Sequence, residues 1–179
     1  MQMHEQDTVP PARLFVTPDA LADTIVDHAY IRAGHRLCEP SAGTGALLRA
    51  VRRRFGQTID CVAVEINGSM ARGLVDQGLN ASIIHGDFLS LTRGEIGEFD
   101  RIVMSPPFEN GRDVDHIRKA LTLLRPGGRL VALCIDGPRQ NRYLRPIVEE
   151  RRGIWKELPR RFFRDQGAVA NVALLILSW

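Results

Sequence analysis

The amino-acid sequence predicts an α/β domain built on a mainly parallel sheet. Helix-period and strand-period apolar patterns alternate along the whole chain. No repeat, low-complexity tract or Gly/Ser linker interrupts that alternation. The length, 179 residues, suits one domain with one real core.

A loose, flexible N-terminal arm is expected over 1–13, followed by a single domain over 14–179. Thr17-Pro18 reads as an N-cap with proline at the first helical position, opening a helix that runs to about Tyr30. Arg36 to Glu39 is the first strand, followed by a glycine-bearing turn and a helix from about Ala46 to Phe55. Ile59 to Glu65 is the second strand, and Gly68 to Gln77 a helix. Ala81 to His85 is the third strand, closed by Gly86-Asp87. Phe99 to Met104 is the fourth and leads directly into Ser105-Pro106-Pro107-Phe108. A helix over about Val114 to Leu124 and a turn at Pro126-Gly-Gly128 precede the fifth strand, Arg129 to Ile135. A further helix is expected near Arg142 to Glu150, with last strands at Ile154 to Leu158 and Val169 to Leu177.

Composition removes several classes. Apolar residues make up 44% and charged residues 25%, the balance of a globular chain. No apolar run approaches the roughly 20 residues of a membrane helix, so no membrane partner is expected. The polar N-terminus lacks a basic start and an apolar centre, which predicts a cytoplasmic protein. Cys38, Cys61 and Cys134 are isolated within apolar runs and form no CxxC pair. They read as buried reduced thiols, with neither a metal site nor a disulfide framework. The charge is uneven. Between Arg139 and Arg164 nine basic residues face three acids, so this segment carries +6 and the remainder −3. That asymmetry suits an edge facing nucleic acid. Arg139, Arg142, Tyr143 and Arg145 are the candidates for phosphate contact or stacking. A solvated helix face paired with Glu149 and Glu150 explains the same residues.

Three turns carry chemistry. Glu39-Pro40-Ser41-Ala42-Gly43-Thr44-Gly45 lies between a strand and a helix, where glycines let backbone approach a ligand. Glu65 closes the next strand, 20 residues after Gly45, at a place where an acid accepts ribose hydroxyls. The dinucleotide fingerprint wants a third glycine where this chain has Leu48, so an adenosine cofactor without a pyrophosphate is favoured. Asp87 can accept from an adenine amino group, and Phe88 can cover its ring. Ser105-Pro106-Pro107-Phe108 is the most specific element. Two prolines after a buried strand forbid its continuation and fix the backbone, aiming carbonyls into the pocket. An aromatic amine is a poor nucleophile because its lone pair is delocalised. The Pro106 carbonyl and Ser105 hydroxyl can accept its N–H groups and free that pair. Phe108 offers a flat face to an extruded base.

Together these residues resemble class I S-adenosylmethionine-dependent methyltransferases, specifically amino-methyltransferases of the gamma motif order, from about Arg13 to Trp179. Phe15-Val-Thr-Pro18 resembles that group's N-terminal cofactor motif. Glu39 to Gly45 resembles motif I, Glu65 motif II, and Gly86-Asp87-Phe88 motif III. Ser105 to Phe108 stands where the family has its (Asn/Asp/Ser)-Pro-Pro-aromatic catalytic motif, and Phe162-Phe163 lie near the expected base pocket. The resemblance implies a Rossmann-like seven-stranded sheet, mainly parallel with an antiparallel last strand, and helices on both faces. It implies S-adenosyl-L-methionine as cofactor. Phe15 and Thr17 would flank its methionine part, lined by Glu39, Pro40, Ser41, Gly43 and Gly45. Glu65 would hold the ribose, Ile66 and Phe88 would sandwich the adenine, and Asp87 would bind its amino group. Ser105 is a departure: gamma-order adenine enzymes usually carry asparagine or aspartate there, and serine is similar to the cytosine-N4 enzymes. The chain also has no counterpart of the C-terminal recognition domain of sequence-specific members.

The leading expectation is methylation of adenine N6 in a nucleic acid, with DNA favoured over RNA as partner. Cytosine N4, RNA adenine and a protein glutamine amide stay open as acceptors. So do a specificity subunit or homodimer as partners, and a non-catalytic binding module in place of an enzyme. A dehydrogenase fits least, since no hydride-transfer residue stands out.

Overall fold

A computed structural model describes residues 15–159 and 171–179. The expected arm over 1–13, the Phe162-Phe163 pair and residues 160, 161 and 164 of the basic segment lie outside the described residues.

The strands assemble because apolar side chains alternate and fill both faces. They are β1 (Arg36–Glu39), β2 (Asp60–Glu65), β3 (Ala81–His85), β4 (Phe99–Met104), β5 (Leu124–Ile135), β6 (Ile154–Glu157) and β7 (Val172–Ser178). They form one sheet in the order β3-β2-β1-β4-β5-β7-β6. β1 to β5 pair in parallel, and β7 runs antiparallel to β5 and β6. This is the expected Rossmann-like architecture. On β7, Val172, Leu174 and Ile176 enter one core layer, while Ala173, Leu175 and Leu177 enter the other. That period of two marks a strand buried on both faces.

Helices α1 (Asp19–His28), α2 (Ala46–Phe55) and α3 (Gly68–Asp76) cover the first layer. Helices α4 (Arg93–Ile96), α5 (Arg112–Leu121), α6 (Pro138–Tyr143) and α7 (Arg145–Glu150) lie along the chain on the other side, and α4, α5 and α7 bury side chains in the second layer. All three thiols are buried and unpaired, and burial pushes Cys61 up to about 11, so they sit protonated as core residues. Among the described residues, no helix is long and apolar enough to cross a membrane.

Several boundaries differ from the sequence reading. The cap of α1 is Pro18, not Thr17: the Pro18 carbonyl accepts from Leu21 and Ala22, and Thr17 is buried. The helix stops at His28 because Tyr30 turns left-handed. The expected turn at Pro126-Gly-Gly128 is an irregularity inside β5. Phe99 pairs with Leu124 but Arg101 already pairs with Arg129, so the surplus residues bulge out with Gly127 at positive φ. The single helix expected near Arg142 to Glu150 is two, broken at Leu144, with Pro146 in the first turn of α7. The helix expected from Val114 starts at Arg112, after a 3-10 turn at Glu109–Gly111.

Candidate active site

The strand order reverses between β1 and β4, the topological switch point where parallel sheets bind ligands at their carboxyl edge. The turns after β1, β2, β3 and β4 carry Ser41, Ile66, Asp87 and Ser105 to that edge.

The first turn is built around a missing side chain. Gly45 caps α2 in a left-handed conformation, and a Cβ there would meet Leu74 Cδ2 at 2.7 Å. Glycine offers α2 no capping oxygen, so the cap comes from the strand: the Glu39 carboxylate accepts from Leu48 N–H at 3.1 Å. Glu39 is buried, and that burial pushes its carboxyl well above the usual range. Glu65 ties two turns together. Its oxygens accept from Gly43 N–H at 2.7 Å and Asn67 N–H at 2.8 Å. Each carboxylate oxygen retains capacity for a further donor.

Two hydroxyls at this edge lack partners among the described residues. Ser41 Oγ and Ser105 Oγ are buried and make no hydrogen bond to any of them. An orphaned buried hydroxyl costs about 1–3 kcal/mol, so folding alone gives no reason for either. They follow adjacent strands, β1 and β4. Pro106 is buried beside Ser105, Pro107 is exposed, and the half-buried Phe108 ring meets Phe15 edge-on at 5.0 Å.

The adenine end is less symmetric than expected. Ile66 is 61% exposed and presents an apolar surface, but the Phe88 ring is 2% exposed. It packs in the second core layer with the His116 ring 5.7 Å away. Phe88 therefore lies beneath the edge, and the apolar surface there comes from Ile66. Asp87 is partly exposed, accepts from Leu89 N–H at 3.0 Å and pairs with Arg112 at 3.4 Å.

The basic candidates separate. Arg142 stacks on Tyr143, with 5.4 Å to the ring centroid, and Tyr143 is exposed. Arg139 lies across Gly111, where a Cβ would clash with it, and reaches Asp115 at 4.0 Å. Arg145 is engaged by its neighbours, with its side chain still 40% exposed. It donates to Asn141, lies 3.9 Å from Asp136 and covers the Trp155 ring at 4.6 Å. The described partners of Arg139 and Arg145 are Asp115 and Asp136 rather than Glu149 and Glu150.

Sequence reading missed Asp113. It is fully buried and accepts from Val114 N–H, Ile135 N–H and the Gln140 amide. It thereby joins α5, the end of β5 and α6. Burial raises its carboxyl pKa. The available signal was its spacing: Asp113 falls in register with Ile117, Ala120 and Leu121 on the apolar stripe of α5.

The donor set tests whether an S-adenosylmethionine-type ligand fits. Glu65 and Asp87 put two acids along one edge, beside the buried Glu39 carboxyl and two hydroxyls unpartnered among the described residues. Acids suit a ligand bearing cations, hydroxyls and an amino group, and they repel a pyrophosphate. Among the described residues, no group of His, Cys, Asp and Glu side chains could hold a metal ion.

Known proteins agree with this geometry. The family model of the methyltransferase small domain matches residues 19–154. The chain is 33% identical over 123 residues to the ubiquinone/menaquinone biosynthesis C-methyltransferase UbiE of Pseudomonas aeruginosa, covering 65% of this chain and 48% of that protein. It thus spans about half the length of the curated relatives it matches. The type I restriction enzyme EcoKI M protein superposes with a TM-score of 0.71 at 17% identity, over 96% of this chain and 45% of that one. A dimethyladenosine transferase from Plasmodium falciparum gives 0.68 at 13% identity, over 92% and 63%. At these identities the structural likenesses concern the fold.

Proposed function

Because the chain belongs to the methyltransferase small domain family, with S-adenosyl-L-methionine as its cofactor, we propose that it methylates an exocyclic amino group of a nucleic-acid base, adenine N6 in DNA first. The observation that carries this reading is the unpartnered Ser105 hydroxyl, buried beside Pro106 at the switch point.

The cofactor, when bound, supplies a methyl group on a sulfonium that needs no further activation. The protein's task is then to position and polarise the acceptor. Ser105 Oγ and the Pro106 carbonyl accept the two N–H groups of the amine and draw its nitrogen toward tetrahedral geometry. Phe108, braced edge-on by Phe15, offers its ring to the base. Glu65 and Asp87 accept from cofactor hydroxyl and amino groups, Glu39 and Ser41 line the cationic part with Thr17 and Pro40, and Gly43 and Gly45 let the backbone approach. Ile66 covers the adenine. Phe88 supports this surface from beneath.

Two neighbours favour a nucleic-acid acceptor by their names: a restriction-enzyme M protein and a dimethyladenosine transferase. The relative UbiE is a C-methyltransferase, but the double proline with a free hydroxyl is built for an N–H acceptor. Serine at 105 supports cytosine N4 as the second reading. On either reading Arg142 and Tyr143, with Arg139 at their flank, contact the nucleic acid, and a specificity subunit or second copy would supply sequence recognition.

The test is incubation of the protein with labelled cofactor and separate DNA, RNA and protein pools, followed by nucleoside mass spectrometry. N6-methyladenine in DNA is expected. Label only in the protein pool defeats the proposal. Pro106→Ala and Phe108→Ala should each abolish transfer while calorimetry shows cofactor still bound; normal turnover by both removes the catalytic assignment.

A further inference from the structure

At the opposite, amino edge of the sheet, several arginines gather without a carboxylate partner of their own, although Asp60 and Asp100 pair with Arg36 and Arg125 nearby. Arg101 on β4 and Arg129 on β5 are register partners on neighbouring strands. Like charges set side by side repel, and the usual remedy is a carboxylate between them. Here the partners are neutral. Arg101 donates to the Tyr30 and Asp100 carbonyls, at 3.3 and 2.6 Å. Arg129 donates to the His28 carbonyl at 2.7 Å and to Ser178 Oγ at 3.1 Å. Capping the C-terminus of α1 accounts for one side of each guanidinium. The Nη2 of each makes no hydrogen bond among the described residues. Arg32 adds a third charge close by. Burial lowers the Arg101 pKa, and although Asp100 opposes this, Arg129 and Arg32 add to the lowering. Asp100 itself is paired with Arg125 at 2.8 Å.

Two aromatic rings flank the cations. Tyr30 is 61% exposed with Arg129 held 4.7 Å over its ring. Trp179 is 53% exposed with Arg151 at 4.3 Å, and its amide donates to Gly128 O, next to Arg129. None of Arg32, Arg101, Arg129 and Arg151 has a carboxylate partner within salt-bridge distance among the described residues. Unpaired guanidiniums alternating with exposed rings match what a single nucleic-acid strand offers: regularly spaced phosphates and flat bases. An acidic protein surface would pair the charges but leave the rings unexplained. Helix α7 and its following turn carry the basic segment from Arg142 and Tyr143 at the carboxyl edge to Arg151 at this one.

We infer that Arg32, Arg101, Arg129 and Arg151, with Tyr30 and Trp179, form a second contact surface for a nucleic-acid strand, remote from the methyl-transfer edge. It goes beyond the proposed activity and is tested by equilibrium binding without cofactor, so the two readings fail separately.

The probe is a fluorescein-labelled single-stranded DNA of roughly 20 nucleotides, titrated by anisotropy across a salt series. Arg32→Gln with Arg151→Gln, both outside the sheet, should weaken binding by about tenfold and reduce the salt slope by about 1.4, the value for two phosphate contacts on single strands. Arg101→Gln with Arg129→Gln should do the same if thermal melting shows the fold retained. Trp155→Phe leaves Trp179 as the sole tryptophan, and its fluorescence should quench on binding. An unchanged slope in the Arg32/Arg151 variant overturns the inference. So does an unquenched Trp179, or a preference for polyaspartate over DNA.

Discussion

The serines at the switch point illustrate how a side chain can work against the fold that holds it. Ser105 Oγ is buried, unpartnered among the described residues and therefore costly. Ser105→Ala should raise the melting temperature of the cofactor-free protein, a gain of about 1 kcal/mol, while methyl transfer falls. Lower stability with transfer intact would show that the hydroxyl serves the fold. Glu39 gives a pH-dependent counterpart. Burial raises its carboxyl pKa in the folded state above the unfolded value of about 4.3. Its contribution is present in full below that value and is lost as pH rises through the folded pKa, because the native state there holds the extra proton. Glu39→Gln stays neutral throughout. The variant should gain stability on the wild type as pH rises from 5 to 8, measured by urea denaturation without cofactor, and it should bind cofactor more weakly. Parallel pH profiles would mean that Glu39 is ionised inside the apo fold. The aromatic rings show the limit of reading single residues. Phe88 follows Asp87 as a covering ring should, yet packs under the edge against His116, because the residue after a strand end can turn either to the pocket or to the core.

Helices α5 and α6 are held by one carboxylate. Asp113 accepts from the Gln140 amide and from Ile135 N–H where β5 ends. This fixes α6, a two-turn helix that could not hold itself in water, beside the turn that follows Phe108. Asp113→Ala strands the Ile135 and Gln140 donors in the core and should cost about 2–4 kcal/mol, read from urea midpoints. Asp113→Asn, which keeps an acceptor, should cost less. Equal losses would assign the effect to charge rather than to the network. Much of this element scale was legible in the chain. β1, β3, β4 and α2 begin and end where their apolar periods and flanking glycines and prolines place them. The broken helix at Leu144 was less so, since Pro146 fits the first turn of a new helix as well as a kink in an old one. The bulge in β5 was hidden for a similar reason, since Pro-Gly-Gly is turn chemistry wherever it occurs.

At the scale of the molecule, acids and arginines share the carboxyl edge. Glu39, Glu65 and Asp87 lie on or beside its turns, while Arg139 and Arg142 lie beyond them on α6. Replacing Arg139 and Arg142 together with glutamine should weaken binding to duplex DNA and flatten its salt dependence by about 1.8 in slope, the value for two released counterions. An unmoved slope would place the duplex elsewhere on the surface. The sequence by itself determined the alternation of strand and helix, the turn residues and therefore the family, because periodicity and turn chemistry are local and survive without coordinates. It also named the serine, prolines and acids of the edge. Tertiary structure alone decided which of them stand unpartnered among the described residues, that Arg145 covers the Trp155 ring, that Asp113 ties three elements, and that arginines distant in sequence meet at the amino edge. Those are matters of pairing across the sheet, and a one-dimensional pattern carries no record of which strand lies beside which.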